Sequence, residues 1–430
     1  MRVRRWVGWL AVALGLGIPV SAGAAGYGIY EQGAAVLGMA GAGTASVTDA
    51  SALFYNPAAL TRLEGKQQIY VGGSLLTPST SFAGVDPYPG FGVSEEMERQ
   101  LFPLPAIYYA SRLGDRWAAG LGLNAPFGLG VEWEDPDQFT GRHIVTKADL
   151  TAVNFGFSAA YAINPMVSVA LGGNALFSKV KLRQRVQRQL PPGGQIVDVA
   201  ETVLESDIEP GYGWNAGVSI VPNEQWSVGA FYRGKVITKP EGDADFTQIP
   251  TGDAQFDALV AAGLPPDQGV STVLRFPAIW SLGVAWRPQD WKVEADLVFT
   301  EWSLFTDLPI EFEQTPENNE SIVEEYDDAL AIRLGAEHRL EAFTYRFGYY
   351  FEQEAAPTES VSPILPDAAR HGATLGLGFG FGTDKRWKLD LYDLALFVQE
   401  RSTEGVNRDD FNGTYKTFIN SVGFNVGYHW

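Results

Sequence analysis

The end of the chain constrains its fold most. From Phe418 onward, Phe418, Val422, Phe424, Val426, Tyr428 and Trp430 share one face at period two, broken by Asn420. Thr417, Ile419, Ser421, Gly423, Asn425, Gly427 and His429 share the other. Period two is the repeat of a β-strand. An aromatic face opposed by glycine and small polar groups suits a strand with lipid on one side and a polar lumen on the other. The pattern recurs: Phe343, Tyr345, Phe347, Tyr349 and Phe351 oppose Thr344, Arg346 and Gly348, and Leu375, Leu377, Phe379 and Phe381 alternate with glycines. A soluble sandwich also alternates, but rarely sets so aromatic a face against one that is mostly glycine. Lipid offers no hydrogen bonds, so strands cross a bilayer only as a closed barrel.

Composition points the same way. Charged residues make up 19% of the chain, below the roughly 25% of soluble domains. The net charge of -20 argues against a nucleic-acid partner, which needs a basic face. With no cysteine, disulfide frameworks, thiolate metal sites and cysteine nucleophiles are excluded together. Three arginines in Met1 to Arg5, an apolar run from Trp6 to Val20 and the small residues Ala22-Gly23-Ala24 read as a signal peptide over residues 1–24. No later apolar run approaches the about 20 residues that a spanning helix needs. An exported chain without a helical span is periplasmic, secreted or an outer-membrane β-barrel, and the strand pattern favours the last, in the outer membrane of a Gram-negative bacterium among its lipid and lipopolysaccharide.

Turn residues fix the strand count. Tight turns are expected at Gly114-Asp115, Asn164-Pro165, Pro222-Asn223, Pro288-Gln289, Leu340-Glu341 and Thr383-Asp384. Long polar loops are expected at 83–103, 132–148, 184–208, 239–270, 304–327, 353–370 and 400–415. This alternation gives an all-β, antiparallel transmembrane barrel of about 14 strands over residues 67–430, with both ends on the short-turn side. The loops are acidic, as at Glu317, Glu320, Glu324, Glu325, Asp327 and Asp328. Divalent cations bridging them to lipopolysaccharide are one reading, and a solvated acidic face is the simpler one. No calcium-loop pattern occurs, so neither metal nor cofactor is expected.

Residues 25–66 do not read as strand. Gly and Ala dominate from Gly33 to Ser46, and Asn56-Pro57-Ala58 reads as a helix start with Asn as cap and Pro at the first position. Ile29, Val36, Leu37, Met39, Leu53, Phe54 and Leu60 are too apolar for a solvated linker. A small, partly helical hatch plugging the lumen is expected.

Here the chain resembles a family. Ala25-Gly26-Tyr27-Gly28-Ile29-Tyr30-Glu31-Gln32, Leu37 to Gly43, Asp49-Ala50-Ser51 and Phe54-Tyr55-Asn56-Pro57-Ala58 resemble the N-terminal hatch of the FadL-like outer-membrane transporters of long-chain fatty acids and other hydrophobic compounds. Asn124 to Trp133, Arg275 to Trp280 and Phe299 to Ser303 follow in the order the family shows. The resemblance implies a fourteen-stranded barrel closed by the hatch, with Gly26, Tyr27, Glu31, Asn56, Pro57 and Ala58 as hatch residues. It also implies capture of a hydrophobic small molecule (a fatty acid, an aromatic compound or an alkane) by extracellular loops, and release sideways through a gap at a third-strand kink.

The residues themselves place that kink. Pro126 cannot donate to a ladder and Gly128 weakens it, so a bulge over Asn124, Ala125, Pro126, Phe127 and Gly128 is expected, against the alternative of an ordinary rim bulge. Candidate capture groups are Phe82, Tyr88, Phe91, Met97, Leu101 and Phe102 in the first loop, with Leu259, Val260, Leu264 and Val270 in the fourth. Packing of the loops on one another is the competing reading. Strand phase turns Arg233, Lys235, Lys292, Arg333 and Arg346 inward, along with Glu294, Asp296 and Glu337. Arg233 and Arg346 are the candidate carboxylate anchors, because their own strands place no acid beside them, and ion pairing within a polar lumen is the plainer alternative. A general porin, an adhesin and an outer-membrane lipid hydrolase compete with transport. The hydrolase is disfavoured because the chain has 4 histidines and no Gly-x-Ser-x-Gly elbow. A monomer is expected, since a lateral exit needs free lipid contact.

Overall fold

The computed structural model describes residues 26–430 apart from Pro192 and Ala342, so the signal-peptide reading of 1–24 falls outside the described residues. The barrel strands are β1 Gln67–Gly84, β2 Phe102–Arg112, β3 Trp117–Glu132, β4 Lys147–Ala162, β5 Val167–Gln189, β6 Glu209–Ile220 and β7 Trp226–Arg233. They continue as β8 Ile279–Trp286, β9 Trp291–Thr300, β10 Ala329–Arg339, β11 Phe343–Glu352, β12 Arg370–Phe381, β13 Trp387–Val398 and β14 Gly413–His429. Each pairs antiparallel with its chain neighbours. Gln68 to Gly84 of β1 then pairs with β14 from His429 back to Gly413, so the sheet closes without a free edge. The C-terminal carbonyl of this seam, on Trp430, accepts from Lys66 N at 2.7 Å.

Local chemistry makes the short turns. Asn164 Oδ1 accepts the N–H groups of Met166 and Val167 at 2.8 and 2.9 Å, and Asn223 Oδ1 those of Gln225 and Trp226 at 2.9 and 3.0 Å. In each case a side chain mimics a backbone turn. The long connections hold more structure than their polar sequences suggest. Strand β5 runs past the wall and pairs with Ile196–Ser206, which carries on through Glu241–Gln248, Gln268–Thr272 and Asp307–Phe312 as an extracellular sheet. Within the fourth loop, Asp253 caps the helix Ala254–Gly263 through Gln255 N and Phe256 N.

Residues 26–66 fill the barrel. Short helices span Ala34–Leu37 and Ala52–Tyr55, and Asn56-Pro57-Ala58 opens a 3-10 turn, Pro57–Arg62, rather than an α-helix. The Asn56 side chain caps Ala58 N and also donates to Thr44 O at 2.8 Å and to Val218 O of β6 at 2.9 Å. It thus ties hatch to hatch and hatch to wall. On β10 to β12, Gly335, Gly348 and Gly376 face the plug, and a β-carbon at any of them would come within 2.7 Å of Met39 or Gly38. Glycine on the lumen face is therefore room for the hatch.

Candidate functional site

Sequence irregularity becomes an opening in the wall at β3. Below Asn124 the even residues face inward, paired with the even residues of β4. Between Asn124 and Phe127 the register slips, so that Phe127 faces Ala152 and the odd residues turn inward. The upper part of β3 stays with β4 but leaves β2, whose ladder with β3 runs only from Arg112↔Ala118 to Ile107↔Leu123. A window results. Ile107↔Leu123 bounds it below, and above it Glu98 N donates to Glu132 O at 2.8 Å beside the Met97↔Trp133 bridge.

The hatch supplies part of the missing pairing. Ile29 N donates to Pro126 O at 2.8 Å, Gly128 N donates to Tyr27 O at 3.0 Å, and Gln32 Nε2 donates to Ala125 O at 3.0 Å. The Tyr27 ring sits edge-on to Phe127, Phe276, Trp302 and Phe305, with centroids 4.7–6.1 Å apart, and its hydroxyl donates to Arg275 O at 2.5 Å. Gly26, at φ 52°, lies against the Trp302 indole, where a β-carbon would come within 3.0 Å of the ring. Four segments far apart in sequence, 26–32, 124–133, 275–280 and 299–303, thus meet at one edge of the window.

A cavity of about 430 Å³ runs through it. Leu76, Leu394, Leu396 and Ile419 line it from the lumen side, Phe102, Leu104, Phe127 and Leu129 at the window, and Thr151 and Val153 on the outward face of β4. At its inner end stand Glu31, Asp367 and Arg370, the last held to Glu352 Oε2 at 3.0 Å. A second cavity of about 370 Å³ lies among the short turns and is lined by Glu64, Lys292, Glu337, Arg339, Lys388 and Asp390. Its charge suits water rather than an apolar cargo.

The residues singled out in the sequence distribute unevenly. Arg233 is buried beneath the hatch, donating to Phe54 O at 2.8 Å with its guanidinium 4.3 Å from the Phe54 ring. Arg346 bridges Glu337 and Asp390 at 2.7 Å each. The two acids lie on β10 and β13, not on the arginine's own strand. Neither guanidinium lines the apolar cavity; among the described residues the cation that does is Arg370, at the end of the expected loop 353–370. Lys235 does not face inward: β7 ends at Arg233, so strand phase stops there, and the lysine is exposed. Phe82 does not belong to a loop either. Strand β1 reaches Gly84, and the Phe82 ring is buried, stacked on Phe411 at 4.6 Å. Tyr88, Phe91, Leu101 and Leu259 are exposed, Met97, Val260 and Leu264 are half-buried, and Val270 packs beside Leu204 and Ile310.

Loop acids clasp the start of the hatch. Asp367 accepts Gly26 N at 3.1 Å and the N–H groups of Ala355 and Ala356 at 2.8 Å. Nearby Glu324, 4% exposed, has its carboxyl pushed up from 4.5 to about 8 by burial first, then by Asp409 and Asp367, against the pull of Arg408. A carboxyl raised in the folded state binds its proton more tightly there than in the unfolded chain. Its contribution is therefore complete below about 4.5 and is lost as pH rises to about 8. Limited proteolysis of the purified protein between about pH 5 and pH 9 should show the outer loops loosening with rising pH, and Glu324→Gln should flatten that dependence. An unchanged slope in the variant would remove Glu324 as its source.

A closed, plugged barrel with a window in its wall defines an outer-membrane transport barrel. The family described as "Outer membrane protein transport protein (OMPP1/FadL/TodX)" matches residues 16–430, and the chain belongs to it. The 47 kDa outer membrane protein of Pasteurella multocida (strain Pm70) is 28% identical over 98% of this chain and 97% of its own length. The long-chain fatty acid transport protein of Escherichia coli O6:H1 is 25% identical over 97% and 98%. Among solved structures, a Pseudomonas aeruginosa FadL homologue superposes with a TM-score of 0.82 at 21% identity, covering 94% of this chain and 99% of that one. The Pseudomonas putida toluene transporter TodX gives 0.75 at 18% identity, covering 93% and 98%.

Proposed function

We propose that this protein takes long-chain hydrophobic carboxylates inward across the outer membrane, from its outer loops into the cavity and sideways through the window into lipid. The observation that carries the reading is the cavity itself, whose lining passes from inward-facing Leu396 and Ile419 to outward-facing Val153. Its volume of about 430 Å³ lies in the about 300–1,000 Å³ range of small-molecule sites. Arg370, the cation among the described residues that line the cavity, is the group we infer meets a cargo carboxylate, in exchange for its partner Glu352 at 3.0 Å and beside Glu31 and Asp367. The exposed Phe91, Leu101 and Leu259 are the groups from which we infer capture, and we infer export from the signal-peptide pattern of residues 1–24. A fatty-acid cargo is in keeping with the Escherichia coli relative's name.

Uptake of radiolabelled oleate and of toluene by cells lacking their own hydrophobic-compound transporter tests this, with and without the protein. Oleate uptake that depends on the protein supports the reading, with Arg370→Leu lowering oleate uptake more than toluene uptake. Normal membrane insertion with uptake of neither compound overturns it and brings the porin and adhesin readings forward.

A further inference from the structure

The window has a second edge, on β2, and its chemistry differs from that of the bulged edge. Arg112 N donates to Lys66 O on the β1 side, and Leu113 N to Trp117 O on the β3 side. Backbone groups of a strand point alternately to its two neighbours, so odd residues of β2 present theirs to β3. At the height of the window those residues are Pro103 and Pro105, which have no N–H to present. This edge keeps carbonyls that can accept and lacks the donors of a full ladder. An ordinary strand here would hold unpaired amides against lipid, at several kcal/mol each, or would zip onto β3 and close the wall. Proline removes both outcomes.

One ring crosses this frame. Phe102, half-buried at the top of β2 opposite Leu76, rests its ring tip on Gly130, where a β-carbon would come within 2.0 Å of the ring's Cζ. Gly128 and Gly130 sit on the outward face of upper β3 and put no side chain in the way. Above the ring, Gln100 Nε2 and Lys147 Nζ both reach Glu132 Oε2, at 3.1 and 2.7 Å, fastening the lintel. The surround is thus tied by backbone and ionic bonds, whereas the ring needs only a rotamer change to move.

We propose that Phe102 is the leaf of the window: resting on Gly130, it sets the girth of what leaves the cavity for the membrane, while Pro103 and Pro105 keep the frame from closing. The inference rests on the transport reading above. It differs from the capture role expected for Phe102, because it places the residue at the exit.

The test compares oleate, a single chain, with pyrene, four fused rings, in cells lacking their own transporter that express the full chain or Phe102→Ala. Truncation should raise the ratio of pyrene to oleate uptake about tenfold, the discrimination that a methylene or two of pocket girth supplies. A second arm uses the absence of native cysteine. Phe102→Cys with Gly130→Cys, bridged by a short bis-methanethiosulfonate, should stop uptake of both compounds until a reductant is added. The same folded molecules are read before and after reduction, so misfolding cannot mimic the result. An unchanged oleate-to-pyrene ratio in Phe102→Ala, or undiminished oleate uptake by the bridged pair, overturns the leaf while protein-dependent oleate uptake leaves the transport reading standing. Uptake of neither compound by the unaltered protein overturns both.

Discussion

Replacing Asn124–Gly128 with four residues of regular strand should abolish uptake and leave an intact barrel. The bulge holds Ala125 and Pro126 opposite the single residue Val153, and this extra residue is what turns Phe127 inward and parts β3 from β2. Without it, upper β3 falls into line with β2, and its N–H groups meet the free carbonyls of Pro103 and Pro105. Tyr27 and Ile29 lose their partners at Gly128 and Pro126. The wall itself stands, because β3 keeps β4, and β2 keeps β1 from Gln67↔Ser111 to Leu76↔Phe102. The expected result is oleate uptake at the level of cells without the protein, with the usual shift in gel mobility between unboiled and boiled samples. Uptake at the wild-type rate by a folded variant would mean that cargo leaves by some route other than this window.

Period two made the faces of the wall legible, and its failures are as informative as its regularities. Asn420 and Asp393 look misplaced on the apolar face, yet Asn420 Nδ2 donates to Asp393 Oδ1 at 2.8 Å across β13 and β14. Two exceptions on different strands cancel each other, and no single strand displays that. Arg346 repeats the lesson inside the lumen, where Glu337 and Asp390 arrive from β10 and from beyond β12. Cross-strand register is a property of the closed barrel, and turn positions alone fix it only to within a residue or two. The bulge was legible because proline and glycine state a backbone requirement locally. The donor-free edge was not, since Pro103 closes the polar stretch 83–103 and neither its edge nor that of Pro105 shows until β1 is seen to pair with them. Arg370 is hidden in the same way, as the last residue of the polar stretch 353–370 and the first of β12.

The second large effect is expected at the hatch. Asp296 Oδ2 accepts Gly43 N and Thr44 N at 2.9 Å, Glu294 Oε1 accepts Ala45 N at 2.6 Å, and Ser46 Oγ donates to Glu294 Oε2. Two carboxylates on one strand thus hold four consecutive donors of the plug. They fit because Gly229 and Gly283 on the lumen face let the hatch backbone reach the wall there. Each buried donor left unpaired costs about 1–3 kcal/mol, so removing both acceptors penalises the seated hatch by several kcal/mol, of the order of a small domain's whole stability of about 5–15 kcal/mol. The double variant Glu294→Ala, Asp296→Ala should therefore insert normally but release the 43–46 loop. Single-channel recording in planar bilayers should find large, steady conductance steps where the unaltered protein is silent, and cells should become sensitive to a bulky antibiotic. Asp393→Ala, which breaks a polar pair on the outward face, should stay closed and serves as the control for substitution itself. A silent double variant would mean that the remaining ties, Arg333 Nη1 to Ala40 O at 3.0 Å, Asn56 to Val218 O and Ala34 N to Asn425 Oδ1 at 2.8 Å, hold the plug without the acids. The hatch would then be seated by its packing against the barrel rather than by these two side chains.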